Sequence, residues 1–402
     1  MEFYFESKCK KDCFNCGVCE LSCPVKAIKM VKNKSDGYLY PEIDSEKCIN
    51  CGKCKKVCIN LNRNRLVNKT KKAYVIKNKN IDVRKRSSSG GISSILMEYV
   101  IENNGCVYGV GYDEFLEVVH QRATTIEECE NFKTSKYVKS LINESYSKVL
   151  KDLKNDRVVL FTGTPCQVAG LKSFIPNKLQ EKLILCEIMC DCVASPILYR
   201  KFKNFIEKKY KKNIRKINFR SKENGAHNMS MKIIFSDDEE IILPIKEKNE
   251  FSDYMQVYGC GLSSPYSCLN CEFEHIDERV SDFTIGDYWG KKEYLRDDNL
   301  GLSILLVNTE KAQKIFNDIL KNKIEFIEVT PKQALDNNHI NHKDIVLNKD
   351  NFMKDLSTME YEQLIDKYVN KYALRTKIAR IFPANIKMII KKIINRWCYA
   401  SE

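Results

Sequence analysis

Eight cysteines near the start of the chain fall into two runs of identical spacing. Cys13, Cys16, Cys19 and Cys23 follow C-x2-C-x2-C-x3-C, with Pro24 next. Cys48, Cys51, Cys54 and Cys58 repeat the pattern 35 positions later. The neighbours repeat as well, Asn15-Cys16-Gly17 against Asn50-Cys51-Gly52, so the region is an internal duplication. Three thiolates two residues apart wrap one face of a cuboidal iron–sulfur cluster on a tight turn. The fourth lies too far along to close on the same cluster and crosses to the other. The expected ligand sets are therefore Cys13, Cys16, Cys19 and Cys58 for cluster I, and Cys48, Cys51, Cys54 and Cys23 for cluster II. Gly17 and Gly52 keep the loops free of bulk and leave their amides open to sulfur. Structural zinc prefers two separated C-x2-C pairs and four ligands per ion, which fits these runs poorly. Ile59 stands where a proline would follow Cys58 and removes no ligand. Cys9 lies outside both runs and is read as a non-ligand.

The elements that must hold these thiols are small. Residues 27–30 and 38–43 read as short strands on either side of a turn at Asp36-Gly37. That predicts a compact α+β ferredoxin-like domain over residues 1–62. Residues 63–72, rich in Asn, Lys and Arg, read as a linker.

Beyond the linker the patterns suit an α/β domain, assigned to residues 73–330. Residues 72–76 read as a strand, and Ser87-Ser88-Ser89-Gly90-Gly91 precedes a helix expected over 92–101. Serines and glycines at a helix start favour an anion through free amides and the helix dipole, but they also serve as a plain N-cap with flexible glycines. Gly109 and Gly111 lack the third glycine of a dinucleotide fingerprint, and residues 106–112 are expected as a strand. A buried strand at 158–161 runs into Thr162-Gly163-Thr164-Pro165-Cys166-Gln167 and a helix to about Phe174. Such corners are where α/β sheets place ligands. A second apolar strand, 183–189, ends at Cys190, and Cys268 and Cys271 form a C-x2-C pair on a loop. These four thiols suit one further metal centre. Spacing alone does not decide it, and separate structural thiols are the default reading.

Composition sets the frame. The 402 residues are 43% hydrophobic, enough for two or three cores, and carry a net charge of +14. The excess is mostly lysine. It suits a solvated surface or acidic partners such as a redox protein, an anionic cofactor or an anionic membrane face, while no nucleic-acid motif accompanies it. Nineteen cysteines with neither a basic n-region nor a long apolar segment at the start predict a cytoplasmic, metal-binding chain. No Ser-His-Asp or H-E-x-x-H arrangement is present. His339 and His342 sit in a polar loop and are read as solvated.

Taken together, Ser88-Ser89-Gly90-Gly91, Ser135-Lys136-Tyr137, Gly163-Thr164-Pro165-Cys166-Gln167, Cys190, Cys268-x2-Cys271 and the stretch from Ser281-Asp282 through Gly286-Asp287-Tyr288-Trp289-Gly290 resemble the beta subunits of coenzyme F420-reducing hydrogenases and related dehydrogenases. The likeness covers roughly residues 8–300. It implies an FAD-containing α/β domain with a third [4Fe–4S] cluster beside the flavin. Cys166, Cys190, Cys268 and Cys271 are its implied ligands, and Ser88, Ser89, Gly90, Gly91 and Lys136 the implied flavin contacts. It implies an iron–sulfur flavoprotein oxidoreductase that moves electrons between F420, NAD(P)H or a similar carrier and the clusters. The other reading is an electron-transfer subunit docked on a separate catalytic partner. Relatives with this two-module arrangement also occur beside surface-polysaccharide biosynthesis. One departure bears on F420: Asp191 and Cys192 replace the His-Gly that commonly follows the cysteine matched by Cys190, and Cys192 becomes a rival ligand.

A helical extension is expected over residues 331–402. From Lys371 to Arg396 it has basic residues and no acidic ones. Ile386, Ile389, Ile390, Ile393, Ile394 and Trp397 recur at helical spacing. Such a helix lies either in a membrane interface, through residues 371–398 at the inner face, or docked on protein.

Overall fold

The computed structural model describes residues 12–274, 278–290, 294–335 and 348–370. Cys9, His339, His342 and the basic tail from Lys371 onward lie outside the described residues. No described helix is long and apolar enough to cross a membrane.

The N-terminal module is a hairpin with a short helix after each cysteine loop. Strands β1 (Ile28–Lys32) and β2 (Leu39–Ile43) pair antiparallel, Ile28 opposite Ile43. Helices α1 (Val18–Ser22) and α2 (Lys53–Val57) follow the two loops. The duplication is visible in the backbone. Asn15 and Asn50 have φ of 56° and 53°, and Gly17 and Gly52 have φ of 75° and 71°. Asparagine and glycine are the residues that take this left-handed conformation most readily.

Residues 63–72, expected as a linker, are pinned rather than loose. Arg63 is buried and pairs with Glu278 at 3.2 Å, and β3 (Asn68–Lys69) pairs with Glu278–Arg279. The chain then enters an eight-stranded mixed sheet. Its members are β4 (Lys72–Asn78), β5 (Cys106–Tyr112), β6 (Val118–Ala123), β7 (Val159–Gly163), β8 (Leu183–Ile188), and, further on, strands Phe283–Asp287, Ser303–Val307 and Ile324–Val329. Strands β5, β7, β8 and Phe283–Asp287 form a parallel block. Antiparallel neighbours flank it on both sides. The strands of the block are apolar and mostly buried, as a sheet covered on both faces requires. Helix α3 (Ile92–Glu102) packs on one face. Helices α4 (Ser145–Lys154) and α5 (Pro165–Phe174) pack on the other.

A separate three-stranded antiparallel sheet, Ile214–Ser221, Ser230–Phe235 and Glu240–Pro244, shares a second core with α6 (Pro196–Tyr210), α7 (Glu250–Gly259) and helix Lys349–Thr358. The described part of the C-terminal extension is thus docked on its own chain. The ferredoxin hairpin plugs into the same region. Tyr38 donates to Ser263 O at 2.7 Å, and Ser195 Oγ donates to Asp36 O at 2.6 Å. A Cβ on Gly37 would stand 2.7 Å from Ile197, so the turn is seated with no room to spare.

Candidate iron–sulfur centres and redox site

The structure brings together the thiols expected for cluster I. Cys13 is half-buried and Cys16 buried, and desolvation pushes their thiols up to about 11 and about 12. Cys58 of the second run contributes to the rise at Cys13, Cys16 and Cys19 and so lies in their neighbourhood, as the expected crossover requires. Backbone amides bond the sulfurs, Asn15 N to Cys13 Sγ at 3.4 Å and Ala27 N to Cys23 Sγ at 3.2 Å. Cys23, Cys48, Cys51 and Cys54 line a cavity of about 300 Å³. No three His, Cys, Asp or Glu side chains among the described residues close on a single ion. In a cubane each thiolate binds a different iron, so its four sulfurs stand further apart than four ligands of one metal do. Both sets suit cubanes, whose irons would hold these sulfurs as thiolates.

Cys166, Cys190, Cys268 and Cys271 also converge. Thr164 caps α5 in a capping box with Gln167, which places Cys166 in the first turn at the carboxyl end of β7. Cys190 follows the end of β8. Burial raises its thiol, and Cys268, Cys166, Cys192 and Cys271, in that order, add to the rise. Cys192 is therefore in the same neighbourhood. Its thiol donates to Tyr258 O at 3.2 Å, while Cys190 Sγ donates to Cys192 O at 3.5 Å. Behind this strand end a buried Glu187 lies 3.6 Å from Arg279, and Arg279 reaches Met189 Sδ at 3.5 Å. Arg279 thus braces the residue next to Cys190.

The same thiols stand beside cluster I. Cys166 acts on both Cys13 and Cys16. Ser267, next to Cys268, donates to Cys13 O at 3.0 Å. One turn along α5 from Cys166, a Cβ on Gly170 would lie 3.1 Å from Cys16 Cβ.

The residues implied as flavin contacts meet, but most of their polar groups are engaged within the protein. Ser135 N donates to Ser88 Oγ at 2.9 Å, and the Ser89 hydroxyl donates to Leu302 O. The Lys136 ammonium donates to Asn131 O, Lys133 O and Thr134 O at 2.9–3.0 Å. Burial pulls its pKa down to about 7. Gly90 is required for packing, because a Cβ there would meet Ile76 O at 2.7 Å and Ser303 N at 2.9 Å. Gly91 is the N-cap of α3 with φ 79° and no side-chain cap, so the first amides of the helix stay open.

Sequence reasoning missed the cations around this loop. Arg220 donates to Ser88 O at 2.8 Å and pairs with Asp287 at 2.7 Å. Lys222 donates to Ser89 O at 2.8 Å and to Arg84 O at 2.7 Å. Burial, with Arg220 and Arg84 beside it, lowers its pKa to about 7. Asp287, inside a stretch the sequence did single out, was the available pointer to Arg220.

Two duplicated cysteine runs in a ferredoxin-type hairpin, seated on an α/β domain with its ligand crevice at the ends of parallel strands, define an iron–sulfur electron-transfer protein. Residues 12–60 match the family model described as 4Fe-4S dicluster domain. Residues 156–332 match the one that describes the C terminus of the coenzyme F420 hydrogenase/dehydrogenase beta subunit. The chain therefore carries a dicluster ferredoxin-type domain followed by a domain of the F420 hydrogenase/dehydrogenase beta-subunit type. Among curated proteins it is similar to the F subunit of F(420)H(2) dehydrogenase from Methanosarcina mazei, 25% identical over 185 residues. That match covers 43% of this chain and 51% of the relative, so the chain spans about half that protein's length. A solved structure of the F420-reducing [NiFe] hydrogenase complex from Methanosarcina barkeri is 15% identical with a TM-score of 0.43. It covers 77% of this chain and 94% of that one, a likeness too loose to support an argument.

Proposed function

We propose that the chain is an iron–sulfur flavoprotein that passes electrons between a two-electron carrier at the α/β domain and the N-terminal clusters, by way of a third cubane on Cys166, Cys190, Cys268 and Cys271. The observation that carries this reading is the seating of the cluster I loop against the second group of thiols, with Ser267, next to Cys268, donating to Cys13 O at 3.0 Å and Lys139 joining Phe14 O to Cys166 Sγ. Bound flavin would supply the exchange between electron pairs and single electrons. The chain's part is to hold and align. The open amides of α3, with Arg220 and Lys222 beside them, suit the anionic end of a dinucleotide such as FAD. Lys136 holds the loop over 131–136, and thereby sets Ser135 against Ser88. F420, NAD(P)H or a similar molecule is the carrier class.

A second reading, an electron-transfer subunit serving a separate catalytic protein, draws support from the outer end of the ferredoxin module. Cys51 is exposed there, beside exposed Ile49, Lys53 and Lys56. An apolar spot ringed by lysine suits an acidic redox protein.

Replacing Cys268 with Ser tests the third centre. Iron should fall by about four per chain with FAD retained, and flavin electrons should no longer reach the N-terminal clusters. Full iron in that variant removes the centre. Iron loss from Cys192→Ser but not Cys190→Ser reassigns the ligand. Turnover with F420H2 or NAD(P)H in the absence of a second protein separates enzyme from subunit.

A further inference from the structure

Lys139 reaches with its side chain both the backbone of the cluster I loop and a thiol of the second group. Its backbone N–H donates to Ala194 O at 3.0 Å, and its side chain runs inward until the residue is only 6% exposed. The ammonium donates to Phe14 O at 3.2 Å, inside the loop between Cys13 and Cys16, and to Cys166 Sγ at 3.5 Å. Among the described residues no carboxylate lies within ion-pair distance of it. A buried ammonium without a counter-charge is costly, and a carbonyl and a thiol offset little of that cost. Its charge also reaches Cys13 and Cys16 on one side, and Cys190 and Cys268 on the other.

We propose that Lys139 is the shared counter-cation of cluster I and the adjacent third centre, raising the reduction potential of both and pinning one against the other. The inference rests on the third centre proposed above for half of its content. The physical reason is direct. A cubane with four thiolates is a net anion, and one-electron reduction makes it more negative. A fixed cation and a hydrogen bond to a ligand sulfur both favour the reduced form. Because Lys139 lies between the two centres, it favours the electron on either and sets no trap on one of them. In the transfer itself one electron leaves the reduced centre and reduces its neighbour, with no bond or proton changing hands. The bonds to Phe14 O and Cys166 Sγ together have a second effect, since they link the cluster I loop to the helix that carries Cys166.

Full-length Lys139→Gln and Lys139→Arg proteins, titrated anaerobically and followed by electron paramagnetic resonance, provide the test. Cluster II, on Cys23, Cys48, Cys51 and Cys54, serves as the internal reference. In Lys139→Gln the equilibrium constant for placing an electron on cluster I should fall at least about tenfold relative to cluster II, which is about 59 mV for one electron. Lys139→Arg should stay near the parent. Loss of cluster I iron from Lys139→Gln but not from Lys139→Arg supports the same assignment, because the charge is then needed to hold the anion. An unshifted cluster I in Lys139→Gln, or an equal shift in Lys139→Arg, overturns it. Iron in the parent protein decides the third centre separately. About twelve atoms per chain supports it, and about eight removes it while leaving the cluster I result to stand on its own.

Discussion

Gly170 gives a test of how tightly the ferredoxin module is seated, and the sign of the result is informative. It lies inside α5, where exchanging glycine for alanine normally stabilises a helix by about 1 kcal/mol. Here the added methyl would stand 2.9 Å from the Tyr146 hydroxyl and 3.1 Å from Cys16 Cβ. Neither neighbour yields easily. Tyr146 is fully buried and its hydroxyl donates to Gln167 O at 2.6 Å, and Cys16 sits on the cluster loop. Overpacking of this kind costs about 1–3 kcal/mol. The expected net effect of Gly170→Ala is a destabilisation of about 1 kcal/mol, and Gly170→Val should be worse. Thermal unfolding followed by far-UV circular dichroism reads the stability, and paramagnetic resonance of the reduced protein reads the clusters. Cluster I should broaden or shift while cluster II keeps its signal. A rise in melting temperature for Gly170→Ala, as an open helical glycine would give, refutes the close packing of α5 on the cluster loop.

Two further perturbations probe buried titratable groups. On the proposed reading the Lys222 charge draws the FAD anion only while protonated, so with a pKa of about 7 it should make FAD affinity for deflavinated protein fall as pH rises through neutrality, by at most about tenfold per pH unit. Fluorescence titration reads this; Lys222→Arg should flatten the curve, and a flat curve in the parent would remove Lys222 from the site. His120 is buried between Ser140 Oγ and Thr162 O, both at 3.1 Å, and burial lowers its pKa to about 4. The unfolded chain therefore takes up the proton first. The stability His120 contributes above its ordinary value of about 6.5 is lost as pH falls toward 4, by about 3 kcal/mol in all. Denaturant midpoints across that range should drop more steeply for the parent than for His120→Gln, and parallel slopes would contradict the assignment.

What could be read in advance was local. The repeated Asn-Cys-Gly triplets announced the left-handed turns that the backbone shows at Asn15, Gly17, Asn50 and Gly52. The strand expected over 106–112 formed with those bounds, because its tight apolar pattern needs no distant partner to be recognised. The loop at 87–91 suits either an anion cradle or a plain N-cap with flexible glycines, and the structure adds a packing role that its sequence does not show. Gly90 lies against two strands, and Gly91 opens the start of a helix. Lys139, Arg220 and Lys222 had no local signature at all. In a chain with 67 basic residues a single lysine carries meaning only once its burial is known, and burial is set by elements far apart along the chain. The pinning of residues 63–72 was hidden for the same reason, since Glu278 is their partner.

The seating of the hairpin turn decides what kind of carrier the N-terminal module is. A ferredoxin on a slack tether must tumble to its acceptor, and its delivery slows in a thicker solvent. Here Tyr38, Asp36 and Gly37 are clamped by Ser263, Ser195 and Ile197, so the carrier cannot swing. Its inner cluster site keeps a fixed distance to the neighbouring thiols. Hopping inside the chain should then be indifferent to added glycerol, and any dependence on viscosity belongs to the arrival of an outside partner at the exposed end near Cys51.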